Sequence, residues 1–168
     1  MILNLILFGV AVLLLSTVVR GAPFVPTNHS AVARMVALSA VRPGQRAADI
    51  GSGDGRIVIA MARAGAVAHG YEINPFLVWW SKYKIYKAGL SGRAFVHWGS
   101  FWKKNFAEFD VITVFGIKKI MRELGEKMRR ELRPGARVVS YVFLFPDWQY
   151  EQKESAVMVY RQSRTTFP

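Results

Sequence analysis

Residues 49–56 read Asp49-Ile-Gly-Ser-Gly-Asp-Gly-Arg56, and seventeen residues after Gly55 an acid follows in Tyr71-Glu-Ile-Asn-Pro75. Strand-like stretches frame the pair: residues 46–50 lead into the glycine turn and residues 66–71 into the acid. Between them, residues 56–64 carry apolar side chains at helical spacing, so the unit reads strand, glycine turn, helix, strand, acid. A nucleotide-like ligand lying across the carboxyl end of a strand needs backbone without a Cβ in the way, and glycine alone combines that with positive φ. A carboxylate at the end of the next strand, Glu72, can accept charge-assisted hydrogen bonds from two ribose hydroxyls. Asp49 stands where it can hold the loop or a ligand's ammonium group.

A nicotinamide-cofactor fold spaces its glycines Gly-x-Gly-x-x-Gly, because a pyrophosphate sits on the helix N-terminus. Here the spacing is Gly51-x-Gly53-x-Gly55, preceded by an acid that would repel a pyrophosphate. A glycine-rich surface turn with no ligand would not need an acid on each side. The arrangement resembles the S-adenosylmethionine site of class I methyltransferases, with the turn for the methionine end and Glu72 for the ribose.

The 168 residues allow one domain with a substantial core. Without cysteine, disulfides, zinc thiolates and cysteine nucleophiles are excluded. His29, His69 and His97 show no metal-ligand spacing and read as scattered surface or loop residues. Residues 2–19 are almost unbroken apolar sequence, interrupted by Asn4, Gly9, Ser16 and Thr17, and reach the lower length limit for a bilayer core of about 30 Å. A cleaved signal peptide would start with charge and be shorter, and a buried helix apolar all round suits a small α/β domain poorly. A retained single-pass anchor over residues 1–20 is the expectation. The net charge of +12 falls almost wholly after it, which places the domain on the positive, cytoplasmic face and beside anionic lipid. A nucleic-acid partner is the less favoured use of that charge.

Residues 21–45 form a pre-core segment and helix. Residues 22–27 are extended around Pro23 and Pro26, and Thr27 or Asn28 caps a helix reaching residue 40. The domain proper is residues 46–168, with a helix over 75–87 opened by Pro75 and closed by Gly89. Strands are expected over 93–97, 110–115, 137–145 and 156–161, and a helix over 118–132. This alternation predicts an α/β fold, a Rossmann-like, doubly wound, mostly parallel sheet, preceded by the N-terminal transmembrane helix.

With those elements in view, the chain resembles the membrane-anchored seven-β-strand lysine methyltransferases that modify the ATP synthase c-subunit and the adenine nucleotide translocase. The likeness rests on Pro23-Phe-Val-Pro26, the glycine motif, Tyr71-Glu-Ile-Asn-Pro-Phe-Leu77, Val114-Phe-Gly116 and Phe143-Leu-Phe-Pro-Asp-Trp148. It implies S-adenosyl-L-methionine as cofactor. Asp49, Gly51, Ser52, Gly53 and Gly55 would line its methionine half, Glu72 would hold the ribose, and Asn74 would border the adenine. Where the family often has an acid for the adenine amino group, Ser100 stands. The implied substrate is a membrane protein with an accessible lysine, with the lipid bilayer as a second partner. The short C-terminus implies abbreviated antiparallel strands closing the sheet.

A lysine acceptor must lose its proton before attack, and desolvation lowers its pKa. No dedicated base is evident, which suits a desolvating channel: Phe24, Val25 and Pro26 over the cofactor, Phe115 and Gly116 at the acceptor mouth. Amide and nucleobase-amine methyltransferases place Asn/Asp-Pro-Pro-Tyr at the end of strand four, whereas Val114-Phe-Gly116 offers no polar clamp. Trp79, Trp80, Tyr83 and Tyr86 recur at helical spacing and read as core or as a membrane-interface belt, with an aromatic cage as the third use. Two other functions remain open: a lipid or small-molecule amine methyltransferase, and a non-catalytic membrane adaptor that keeps the fold.

Overall fold

A computed structural model describes residues 25–163 of the chain. The apolar run over residues 2–19, and with it the expected anchor, lies outside the described residues, as does Phe24. Among the described residues no helix is long and apolar enough to cross a membrane.

The elements are α1 (His29–Ser39), β1 (Arg46–Ile50), α2 (Arg56–Arg63), β2 (Val67–Glu72), α3 (Pro75–Lys87), β3 (Ala94–Trp98), β4 (Val111–Val114), α4 (Met121–Glu131), β5 (Arg137–Tyr141), β6 (Gln152–Glu154) and β7 (Val157–Arg161). They build one sheet in the order β3-β2-β1-β4-β5-β7-β6. The first five strands are parallel, and β7 and β6 close the edge antiparallel. Parallel strands need both faces covered, and the central strand β4 is correspondingly buried at all four positions. On one face α1, α2 and α3 pack through Met35, Val58, Met61, Val78 and Ile85. On the other, α4 packs through Met121, Leu124 and Met128, together with Phe106, Phe109 and Tyr160.

Two local rules set the helix starts. Asn28 caps α1 by accepting from the Ala31 amide at 2.7 Å, and Asn74 caps α3 by accepting from Phe76 and Leu77, with Pro75 as the first helical residue. Helix α1 runs antiparallel to the central strands. The Arg137 guanidinium at the start of β5 donates to the Ser39 carbonyl at the end of α1, so Asn28 and the residues before it arrive at the carboxyl edge of the sheet.

Three sequence expectations are corrected. Strand five stops at Tyr141, not at residue 145, because Val142 has φ 70° and the Phe143 amide donates back to the Tyr141 carbonyl at 2.9 Å, a γ-turn that ends pairing. The polar strand β6 was not foreseen, since Gln152-Lys-Glu154 carries no apolar alternation; at three residues it is short, as the resemblance implied. His69 and His97 are not scattered. They sit on adjacent strands with Nδ1 of one 3.0 Å from Nε2 of the other, stacked beside Phe95 and Tyr71. Burial first, and then neighbouring charge, lowers the pKa of both rings.

Candidate active site

The strand order reverses between β1 and β4, and at such a switch point the carboxyl ends of the strands diverge into a crevice. The register puts Asp49 of β1 opposite Thr113 of β4. Asp49 is 3% exposed, and Thr113 donates its hydroxyl to the carboxylate at 2.7 Å. Burial, reinforced by the nearby charges of Glu72 and Asp54 and only partly offset by Thr113, raises the Asp49 carboxyl to about 7. A carboxyl held this way favours a cationic partner.

Past Ile50 the chain enters the glycine turn, where Gly51, Gly53 and Gly55 all have positive φ. Two of the three show why no other residue serves. A Cβ on Gly51 would meet nothing within 4 Å, so its freedom is used for conformation and an open upper face. A Cβ on Gly55 would come within 3.0 Å of Ser81, whose hydroxyl donates to the Gly53 carbonyl at 2.9 Å and fastens the turn to α3. Ser52 does not share the open face. Its hydroxyl is buried against Gly70, where an added Cβ would lie 2.6 Å from it.

Glu72 has a second role that sequence reading did not give it. Its Oε2 accepts from the Gly53 amide at 2.9 Å and its Oε1 from the Asn74 amide at 2.8 Å, so one carboxylate pins both the turn and the start of α3. Each oxygen keeps a lone pair for a ribose hydroxyl. Asn74 spends its side-chain oxygen on the α3 cap. Ser100 likewise caps the short turn after β3, accepting from the Trp102 amide at 3.3 Å, at the same sheet edge as Glu72.

Asp54, Arg56 and Thr113 were missed. Arg56 and Lys84 both reach Asp54, at 2.8 and 2.9 Å. Burial opposes the Asp54 charge, but hydrogen bonds from Arg56 and Lys84 and their positive charges outweigh it and hold the carboxyl at about 2. Arg56 also donates to the Thr27 carbonyl, tying the pre-core segment to the turn. The signal for Thr113 was present: it is the one polar residue in Val111-Ile-Thr-Val114, and only the strand register tells which residue it faces.

On the acceptor side, Phe115 follows the last paired residue of β4 and packs edge-on to Tyr141 at 5.0 Å and stacked on Phe143 at 6.2 Å. The γ-turn at Val142 folds Phe143 back to this position. Gly116 is buried, and a Cβ there would lie 2.8 Å from the Met121 sulfur, so it admits the start of α4 instead of lining an opening. Pro26 and Val25 are exposed beside the turn.

The residues at the switch point fit a ligand with a cationic methionine end and a ribose. The comparison with known proteins agrees: residues 49–152 match the ANTKMT methyltransferase domain model. The chain belongs to the ANTKMT methyltransferase domain family. It is 44% identical over 126 residues to the lysine N-methyltransferase of the ATP synthase c-subunit from Mus musculus, covering 75% of this chain and 51% of that one. A protein-lysine N-methyltransferase of Saccharolobus islandicus is 37% identical over 128 residues, covering 75% and 80%. The chain thus spans about half the length of the mammalian relatives that it matches. Among solved structures, an RNA methyltransferase of Salinibacter ruber in complex with S-adenosyl-L-homocysteine superposes with TM-score 0.79 at 31% identity, covering 84% of this chain and 96% of that one. The Rossmann-like mixed sheet of class I methyltransferases is therefore this chain's fold.

Proposed function

We propose that the chain is an S-adenosylmethionine-dependent protein-lysine N-methyltransferase acting on a membrane protein. S-adenosylmethionine supplies an electrophilic methyl on a sulfonium. Asp49 and the face of Gly51 would hold its methionine end, and Glu72 its ribose. Binding it asks no rearrangement of the turn, because Glu72, Ser81 and Arg56 already fix that geometry.

The observation that carries the lysine reading is the aromatic group of Phe115, Tyr141 and Phe143 at the ends of β4 and β5. Such a wall desolvates an alkyl ammonium, lowering its pKa, and ring faces attract the cation that remains. It presents no carboxamide or carboxylate clamp for a planar amine. The sulfonium and the lysine are both oriented by the chain, and orientation is what an in-line displacement chiefly requires. The identities with lysine methyltransferases of two domains of life support the same reading.

Residues 2–19 serve in this proposal as a bilayer anchor, with the basic domain on the side that retains positive charge. An anchor raises the local concentration of membrane targets. The 31% identity to a solved RNA methyltransferase favours a second reading, in which the +12 charge serves RNA. Incubating the full chain with membranes, RNA and methyl-labelled cofactor separates the two. Label in a protease-sensitive band that yields methyl-lysine on hydrolysis is expected; label in RNA or in the lipid extract would overturn the proposal.

A further inference from the structure

Helix α3 is apolar on two sides. Leu77, Val78, Ser81 and Ile85 face the sheet and are buried. Phe76, Trp79, Trp80, Tyr83 and Tyr86 point outward, with exposures from 38% for Trp80 to 74% for Tyr86. Their spacing of three and four residues makes one stripe along the helix. The rings lean on one another: Phe76 and Trp79 at 6.0 Å, Trp79 and Tyr83 at 6.4 Å, Trp80 and Tyr83 at 5.5 Å. The core reading of these residues is thereby corrected. A helix that faced only water would not carry such a patch.

The rest of the helix narrows the partner. It has no acidic residue; its charges are Lys82, Lys84 and Lys87. Lys84 turns inward to Asp54, while Lys82 and Lys87 are exposed beside the stripe. Tryptophan and tyrosine rings with flanking lysines match the headgroup level of a bilayer, where each ring has one wet and one apolar end and the lysines meet anionic lipid. The chain's own path points the same way. The Thr27 carbonyl is held by Arg56, which shares Asp54 with Lys84 of α3. Thr27 of the pre-core segment and Lys84 of this helix are thus joined through one carboxylate at the glycine turn.

We propose that the aromatic flank of α3 docks into the headgroup region of an anionic bilayer. This rests on residues 2–19 acting as an anchor. Phe76 occupies the first turn of α3, two residues after Asn74 and four after Glu72, so the docked flank begins at the rim of the cofactor site. Docking would hold the β2–β3 side of the sheet, where Glu72 ends β2, at the membrane–water boundary.

The five tryptophans are residues 79, 80, 98, 102 and 148, with none in residues 1–24. Tryptophan fluorescence therefore reports on the domain and is silent about the anchor. The full chain would be reconstituted into phosphatidylcholine–phosphatidylglycerol vesicles brominated on the acyl carbons nearest the glycerol. Flotation of the vesicles measures anchoring, and bromine quenching measures docking. The expected result is flotation with quenching, loss of the quenched component in W79F/W80F, and loss of quenching with retained flotation in K82E/K87E. Flotation without quenching, or quenching that survives W79F/W80F, overturns the docked flank and leaves the anchor standing. A chain that does not float overturns both. Cofactor binding measured on the same samples shows separately whether the methyltransferase reading holds.

Discussion

Replacing Asp49 with asparagine should stabilise the chain and stop it binding S-adenosylmethionine, and both effects come from one buried carboxylate. The Asp49 carboxyl is 3% exposed and rises from 3.8 to about 7 because burial, and then Glu72 and Asp54, oppose its charge. A gap of that size corresponds to about 4 kcal/mol at ~1.4 kcal/mol per pH unit, and relaxation around the charge leaves about 1–3 kcal/mol as the expected effect. The sign follows from linkage. Below about pH 4 the carboxyl is protonated whether the chain is folded or not, so it costs nothing. Between the ordinary value and about 7 only the unfolded chain ionises, so the penalty grows, and above about 7 it is complete. The carboxamide of D49N would keep an oxygen to accept from Thr113 and would carry no charge.

D49N should therefore melt several degrees above the parent at pH 8, with the difference shrinking steadily toward pH 4; about 1 kcal/mol corresponds to ~2–4 °C in a domain of this size. Calorimetric titration should show cofactor binding lost in the variant. In the parent, affinity should fall by up to about tenfold for each pH unit below 7 as the carboxyl takes up its proton. A stability gain equal at pH 5 and pH 8 would refute the electrostatic origin. Cofactor affinity unchanged in D49N would refute the role assigned to the charge.

Three further outcomes can be checked together. Thr113→Val removes the hydroxyl that lowers the Asp49 pKa; cofactor affinity should drop about tenfold, for a charge-assisted bond of roughly 1.5 kcal/mol, and the pH at which binding is half lost should move up. Asp54→Asn should cost about 1–3 kcal/mol near neutrality, since its depressed carboxyl stabilises the fold above the ordinary carboxylate range; urea titrations should show that cost disappear as pH falls toward about 2. Val142→Gly relieves a β-branched residue at φ 70° that is 46% exposed, so the melting temperature should change by less than about 3 °C, whereas turnover should fall because Phe143 is no longer held against Phe115.

The part of the fold legible in sequence is the part whose residues have one physical solution. Gly51 and Gly55 need positive φ, Pro75 opens a helix, and the unbroken β-branched run Val111-Ile-Thr-Val114 reads as a buried strand. These gave β1 to β4 and the helices between them within a residue or two. The misses have equally definite causes. Val142 breaks β5 with a backbone conformation that valine rarely adopts, so no local rule would place a turn there. Residues 152–154 are polar on both sides, and only pairing with β7 makes them a strand. The pairing of Thr113 with Asp49, and of Arg56 and Lys84 with Asp54, depends on which elements become neighbours. The glycine motif names its own residues but not the ones that hold them. The aromatic residues of α3 were visible as a stripe, yet a helical period does not tell which stripe of a helix with two apolar sides turns inward.

Arg56 joins the two halves of the proposed machinery. Its guanidinium takes Asp54 with two nitrogens and gives a third bond to the Thr27 carbonyl. Because α1 runs antiparallel to β5, the segment it holds reaches the carboxyl edge where Asp49, Phe115 and Tyr141 end. A single side chain thus fixes the cofactor turn on one side and the entry of the pre-core segment on the other. Arg56→Lys keeps the charge and the pair with Asp54 but cannot span both partners, since an ammonium lacks the planar fork. The turn would still be held by Glu72 and Ser81, so cofactor affinity should change by less than about threefold, below ~1 kcal/mol. The segment over residues 25–27 would be released, and kcat with a membrane substrate should fall about tenfold or more, as expected when positioning is lost and the pocket stays intact. Parallel losses of affinity and turnover would mean that Arg56 merely supports the glycine turn, and that the pre-core segment takes no part in presenting the acceptor.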